Sequence, residues 1–313
     1  MPPLPDFAER YGDQRWPAFE IAGSVGRLTR DGAVVRAVPS SSWNVEARAC
    51  DMEKVGVDMQ VISPLPPVIC DWADPEKGTE WCVRVNEGIA GVAAARPRRF
   101  VGLGTVPIQH PDRAVRVLER ASRDGLAGIE IGTTAGEREL DHPDLREFFA
   151  AAAALGMVIF VHPLLLGAEV AWTDRIACQE VAFGLGMTSD TAIAATKLLF
   201  GGVFEEQPDL RILLSHGGGT FPWALPRIQK GLDLRGDSRV TPHLRHLYVD
   251  SVVYQAPNVR YLIETLGAGQ VLFGTDYPLP AQDDGEGAIL EEIPASDRSL
   301  VEGENASRLF DGG

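Results

Sequence analysis

Residues 211–219 read Arg-Ile-Leu-Leu-Ser-His-Gly-Gly-Gly. An apolar run short enough to be a buried strand stops at a histidine, and three glycines then turn the chain away. The same order recurs on either side. Residues 157–163 read Met-Val-Ile-Phe-Val-His-Pro, and residues 271–278 read Val-Leu-Phe-Gly-Thr-Asp-Tyr-Pro. Each stretch sets one polar side chain, His162, His216 or Asp276, at the C-terminal end of a predicted strand.

Working outward, four more apolar runs read as buried strands at 57–64, 100–107, 126–133 and 247–252. Helical stretches separate them. At 111–124, Ala114, Val117, Leu118 and Ala121 recur at helical spacing behind a proline suited to a first turn. At 143–155, Asp144 and Glu147 stand near the start, where acidic groups favour the helix dipole. The segment 148–161 is almost wholly apolar, but Gly156 divides it into a helix end and a β-branched strand rather than a membrane span. Strand and helix in alternation predict an α/β fold with a parallel sheet, either doubly wound or closed as an eight-stranded barrel. In a barrel the C-terminal ends of the strands form the catalytic rim. The runs supply seven strands, and an open barrel leaves unpaired edges, so an eighth is expected. No Gly/Ser/Pro-rich linker interrupts the chain, which predicts one domain over residues 1–313.

Composition removes several classes of function. Lys and Arg number 29 against 44 Asp and Glu, a formal charge of -15 that repels nucleic acid and anionic membrane alike. An acid substrate then needs locally placed arginines. Cys50, Cys70, Cys82 and Cys178 are too scattered for a zinc ribbon and too few for a disulfide scaffold, which suits reduced thiols in the cytoplasm. The start, Met-Pro-Pro-Leu-Pro-Asp, has neither the basic nor the apolar part of a secretory signal.

A lone strand-end histidine is commonly structural, and a strand-end aspartate is commonly a helix cap. Three such positions on three strands favour chemistry instead. Imidazole and carboxylate are the mix that holds Zn2+ or a similar divalent ion and lowers the pKa of its water. The glycines at 217–219 are no phosphate loop, since no Gly-Lys-Ser/Thr follows; close packing accounts for them better.

His162-Pro163, the run Ser215-His-Gly-Gly-Gly-Thr-Phe221, Gly274-Thr-Asp-Tyr-Pro278 and Asn305-Ala-Ser-Arg-Leu-Phe310 together resemble the amidohydrolase-related decarboxylases, in order and in spacing. Residues 43–61, with Arg48 and Met52, resemble that family's first helix and second strand. The resemblance implies a distorted (β/α)8 TIM-like barrel of the metal-dependent hydrolase type. It implies His162 and Asp276 as metal ligands, His216 as general base and Asp276 as a partner in proton transfer. It also implies a His-X-His ligand pair on strand one. None is present, because the six histidines stand at 110, 142, 162, 216, 243 and 246, so strand one is expected to be absent. A start at an internal methionine or a catalytically silent relative would each account for that. Half a ligand set retains about 5–8 kcal/mol of the roughly 10–16 of a full zinc site, a Kd of roughly 0.2 mM to 1 μM. His243 and His246 precede the strand at 247 and are expected at the opposite, stability end of the barrel. His110 and His142 each precede a proline and suit helix entrances.

Arg36 and Arg227 match positions that in the resembling family grip substrate carboxylates, the second from a neighbouring subunit, which implies a homodimer. Guanidinium forks bind carboxylate bidentately. Trp172 and residues 164–166 are expected to shape the pocket. The expectation is a metal-dependent, non-oxidative carboxy-lyase acting on a small unsaturated or aromatic carboxylic acid. Hydrolysis of a lactone, amide or ester at the same site, or a non-catalytic dimerising subunit, are the alternatives.

Overall fold

All seven apolar runs become parallel strands in the computed structural model, which describes residues 6–164, 181–236, 240–283 and 288–310. Trp172, Leu165, Leu166 and Cys178 lie outside the described residues. The chain divides into two compact units, residues 1–130 with 277–282, and residues 131–276 with 283–313.

The first unit opens with a feature absent from the sequence reading. Strands β1 (Ala18–Ala22), β2 (Val25–Arg30) and β3 (Ala33–Pro39) form an antiparallel sheet in that order. The β2–β3 turn is Asp31-Gly32, with φ of 52° and 73°. Two positive φ values between Arg30 and its partner Ala33 make the tight turn that matches strand twist, and Asp-Gly is the pair that tolerates it. Asn44 then caps the helix Val45–Lys54 by accepting the Glu46 and Ala47 N–H groups. Strands β4 (Gln60–Ile62), β5 (Phe100–Thr105) and β6 (Gly128–Ile131) follow, parallel, with β5 between the other two. The helix Pro75–Ala95 is started by Asp74, whose side chain accepts the Glu76 and Lys77 N–H groups, with proline in the first turn. Its Asn86 clasps the end of β5, donating to the Thr105 carbonyl (2.9 Å) and accepting the Thr105 N–H (2.7 Å). Phe7, Trp16 and Trp81 are buried edge to face or tilted with ring centroids 5.0–5.2 Å apart, which anchors the N-terminal helix Phe7–Tyr11. His110 lies at the entrance of the helix Pro111–Arg123, its Nε2 2.9 Å from the Ala73 carbonyl.

In the second unit a small hairpin, β7 (Thr134–Ala135) and β8 (Arg138–Glu139), precedes the helix Arg146–Ala154. Strands β9 (Val158–Val161), β10 (Arg211–Leu214), β11 (Leu247–Asp250) and β12 (Val271–Leu272) are parallel and adjacent in that order. Val158, Ile159, Val161, Ile212, Leu214, Val249 and Val271 are wholly buried, the near-continuous apolar signature of strands covered on both faces. No eighth parallel strand occurs among the described residues. Nor is any helix of these residues long and apolar enough to cross a membrane; the apolar 148–161 segment is a helix end and then β9, turned by Gly156 at φ 65°.

His243 and His246 do precede β11. The buried His246 ring stacks on Phe204 at 4.8 Å and 7°, with Nδ1 3.2 Å from the Leu210 carbonyl. Burial, helped by nearby Arg245, holds its pKa below the ordinary histidine value. Its folded-state pKa is depressed, so below about pH 6.5 the unfolded chain takes up a proton that the native chain resists. The contribution is therefore present above that pH and lost on acidification, with a slope of up to about 1.4 kcal/mol per pH unit until the lower native pKa is reached. Melting curves at pH 7.5 and 5.5 are expected to show a wider gap for the parent than for His246→Gln. Equal gaps would refute the assignment.

Candidate active site

The ladder runs on past the ends of β9 and β10. The His162 N–H donates to the Ile131 carbonyl at 3.0 Å, and the Ser215 N–H donates to the Val161 carbonyl at 3.1 Å. Continuing the β9–β10 register in this way sets His162 and His216 side by side. Their rings meet edge to face, with centroids 4.8 Å apart and planes at 70°.

His162 is buried, with Nδ1 2.9 Å from the Pro163 carbonyl. A carbonyl only accepts, so Nδ1 carries the proton and Nε2 the lone pair, the tautomer a metal-ligating histidine adopts. His216 is half-buried at φ 56°, and Ser215 Oγ lies 3.3 Å from its Nδ1. Asp276 also adopts a positive φ, 62°, as does Tyr254 at 61°. Left-handed backbone at non-glycine residues costs energy and persists where surrounding structure enforces it.

The predicted close packing of the glycine run holds. Gly217, Gly218 and Gly219 have φ of 63°, 76° and 62°, and a Cβ at Gly217 would lie 2.6 Å from Val253 Cγ1. The chain then enters the helix Phe221–Asp233 directly.

Two further residues join the rim. Asp250, the last residue of β11, accepts the N–H groups of His216 (3.0 Å), Gly217 (2.9 Å) and Val252 (3.0 Å). Burial first, and then the charges of Asp276, Asp250 and Asp283, push the Tyr254 phenol up to about 12. The charges of Asp276 and Asp250 thus both act on one phenol. The Asp283 N–H closes the loop around Asp276 by donating to the Thr275 carbonyl at 2.8 Å. Asp250 carries the same strand-end signal as the other three, Leu-Tyr-Val-Asp250 before Ser251, and that signal was available in the sequence. Asp190 on the helix Met187–Phe200 accepts from the Thr133 hydroxyl, and burial holds its carboxyl above the ordinary range.

The two predicted arginines fall in different units. Arg36 is half-buried on β3 opposite Leu28, and Arg227 is exposed on the helix Phe221–Asp233. Tyr277, next after Asp276, belongs to the first unit, where its hydroxyl donates to Asp51 (2.7 Å) under the Arg48 guanidinium, 5.0 Å from the ring.

A zinc- or manganese-type ion needs at least three protein ligands or their equivalent. Among the described residues no three His, Cys, Asp or Glu side chains are grouped to hold a metal ion. His162 presents the tautomer a ligand needs and would supply one position of such a site, whose full ligand set is not assembled among the described residues.

Parallel strands that gather polar side chains at their C-terminal ends are the arrangement on which (β/α)8 barrel enzymes build their active sites. The amidohydrolase family profile matches residues 6–312, and the chain belongs to that family. It is 31% identical over 298 residues, 92% of this chain and 82% of the relative, to the 2-amino-3-carboxymuconate-6-semialdehyde decarboxylase of Dictyostelium discoideum. The 5-carboxyvanillate decarboxylase LigW of Sphingomonas paucimobilis superposes with a TM-score of 0.74 at 27% identity, covering 86% of this chain and 83% of that one. A dihydroxybenzoic acid decarboxylase from Polaromonas sp. JS666, solved with bound manganese and 2-nitroresorcinol, superposes at 0.75 with 24% identity, covering 85% of each chain. The TIM-barrel-like amidohydrolase fold follows from these superpositions.

Proposed function

We propose that the protein is a divalent-metal-dependent, non-oxidative decarboxylase of a small unsaturated or aromatic carboxylic acid. The observation that carries this reading is the 4.8 Å approach of His162 and His216 at the strand rim, in a chain similar to several decarboxylases. In such a reaction the bond between carboxyl and carbon breaks, CO2 leaves, and the carbon left behind takes up a proton. His216 holds and moves that proton. Its ring stands against His162, and its backbone is fixed by Asp250. Asp276, whose charge helps raise the Tyr254 phenol, shares the proton transfer. Arg36 and Arg227 bind carboxylates of the substrate, a role for which guanidinium is suited in so acidic a protein.

A divalent ion, zinc or one like it, supplies electrostatic stabilisation of developing negative charge when bound, and His162 and Asp276 belong to its ligands. Working as a homodimer is supported by exposed Trp223 on the same helix as Arg227, an apolar side chain beside a carboxylate-binding one. A cytoplasmic location is supported by the free thiols of Cys50, Cys70 and Cys82. The single amidohydrolase-like domain of the proposal spans both compact units, as the family match does.

The test is CO2 release, measured with aminomuconate and hydroxybenzoate acids, before and after chelation with 1,10-phenanthroline. Turnover is expected, with loss of at least about 99% of it on chelation and return on adding Zn2+ or Mn2+. Product that retains its carboxyl group, or no turnover of any such acid with metal present, would overturn the assignment.

A further inference from the structure

The C-terminal end of β11 sits between the two elements that carry His216 and Asp276, and it bonds to both. On one side the Asp250 carboxylate is divided between its oxygens. Oδ2 accepts the His216 N–H at 3.0 Å, while Oδ1 accepts Gly217 (2.9 Å) and Val252 (3.0 Å). On the other side Ser251 Oγ accepts the Gly274 N–H at 3.1 Å and donates to the Gly274 carbonyl at 3.2 Å, two residues before Asp276. Ser251 is wholly buried. Gly274 leaves no slack in this arrangement, since a Cβ there would stand 3.1 Å from Asp250 Cβ and 3.4 Å from Val252 Cγ2.

His216, held directly, is in left-handed backbone at φ 56°, and so is Asp276, two residues beyond the held Gly274, at φ 62°. An unsupported histidine or aspartate would relax out of that conformation, at a gain of the strain energy. Backbone N–H groups donating to a carboxylate are among the stronger restraints available. The geometry points to Asp250 and Ser251 as a two-armed clamp that sets His216 and Asp276 in register with each other: positioning residues for the reaction, acting through the backbone and not through substrate. The inference rests on the proposed decarboxylation for its kinetic readout, and on geometry alone for its structural one.

The two arms can be cut separately. Asp250→Asn keeps the shape and keeps Oδ1 for Gly217 and Val252, but places an amide NH2 opposite the His216 N–H, donor against donor. Ser251→Ala removes the Gly274 clasp and leaves the His216 arm intact. Each variant of the full chain is expected to lose about 10- to 100-fold in kcat with KM within about threefold, the usual effect of losing an orienting partner behind a working group. Histidine labelled with 13C at Cε1 gives an activity-independent readout, with the His216 signal assigned from its loss in His216→Asn. That signal is expected to shift or split in Asp250→Asn and to stay in place in Ser251→Ala. An unmoved His216 signal in folded Asp250→Asn, or kcat within about twofold of the parent in either folded variant, would overturn the clamp. Should Asp250→Asn not fold, the kcat of Ser251→Ala decides. If the parent decarboxylates nothing, the proposed reaction fails, and the His216 signal still judges the positioning.

Discussion

Exchange of His216 for asparagine is expected to lower kcat by about 10²- to 10⁴-fold, the range that general acid–base catalysis contributes. The change should leave the protein folded, because asparagine, like histidine, is among the residues that accept positive φ, and position 216 stands at 56°. The Asp250 bond to the main-chain N–H is made whatever the side chain, so the turn keeps its anchor. What is lost is an imidazole able to take up and release a proton, which an amide cannot do. KM should move little, because proton transfer is a demand of the transition state more than of the bound ground state. His142→Asn serves as the comparison. His142 caps a helical turn through Nδ1, which accepts the Asp144 N–H at 3.2 Å, and asparagine is a good cap in the same place. Steady-state CO2 release with paired melting curves decides the matter. A His216→Asn enzyme within about fivefold of the parent kcat removes His216 from the proton chemistry.

The parallel strands were legible because burial on both faces forces near-continuous apolar runs, and β9 to β12 obey that rule closely. The antiparallel sheet at 18–39 was not. Ile21, Val25 and Val34 are exposed there, and Glu20, Arg27 and Arg30 interrupt them, so neither a buried run nor a clean alternation appears. Its one sharp signal was the Asp31-Gly32 turn. At the site, His162, His216 and Asp276 were readable as polar residues at strand ends. Asp250 stood in the same kind of place but works by accepting main-chain N–H groups, a role no spacing rule announces. Tyr254 was hidden for another reason, since its left-handed conformation is imposed by neighbours rather than by a glycine. The loop chemistry of the rim is therefore tertiary in origin, whereas the strand that delivers each loop is written locally.

The glycine run shows how tightly that tertiary origin constrains sequence. Gly219 adopts φ 62° and ψ -133°, a region open essentially to glycine alone. A Cβ there would overlap the carbonyl of Thr188, which is main chain and cannot swing aside as a side-chain tip would. That carbonyl already accepts the Thr220 N–H at 3.0 Å, tying the start of the helix Met187–Phe200 to the turn after His216. Gly219→Ala must therefore break the tie or move the His216 turn. Backbone strain of about 1–3 kcal/mol and overpacking of about 1–3 kcal/mol together give an expected loss of roughly 2–6 kcal/mol. Melting should fall by roughly 3–9 °C. Surviving enzyme should lose kcat as well, because the shifted turn carries the proton-transfer group three residues upstream. Gly231→Ala, in the helix Phe221–Asp233 with nothing within 4 Å of its added Cβ, should instead gain up to about 1 kcal/mol. Differential scanning calorimetry of the two variants separates crowding at the rim from any general penalty for replacing glycine, and a Gly219→Ala protein that melts with the parent would show that the His216 turn is free to yield.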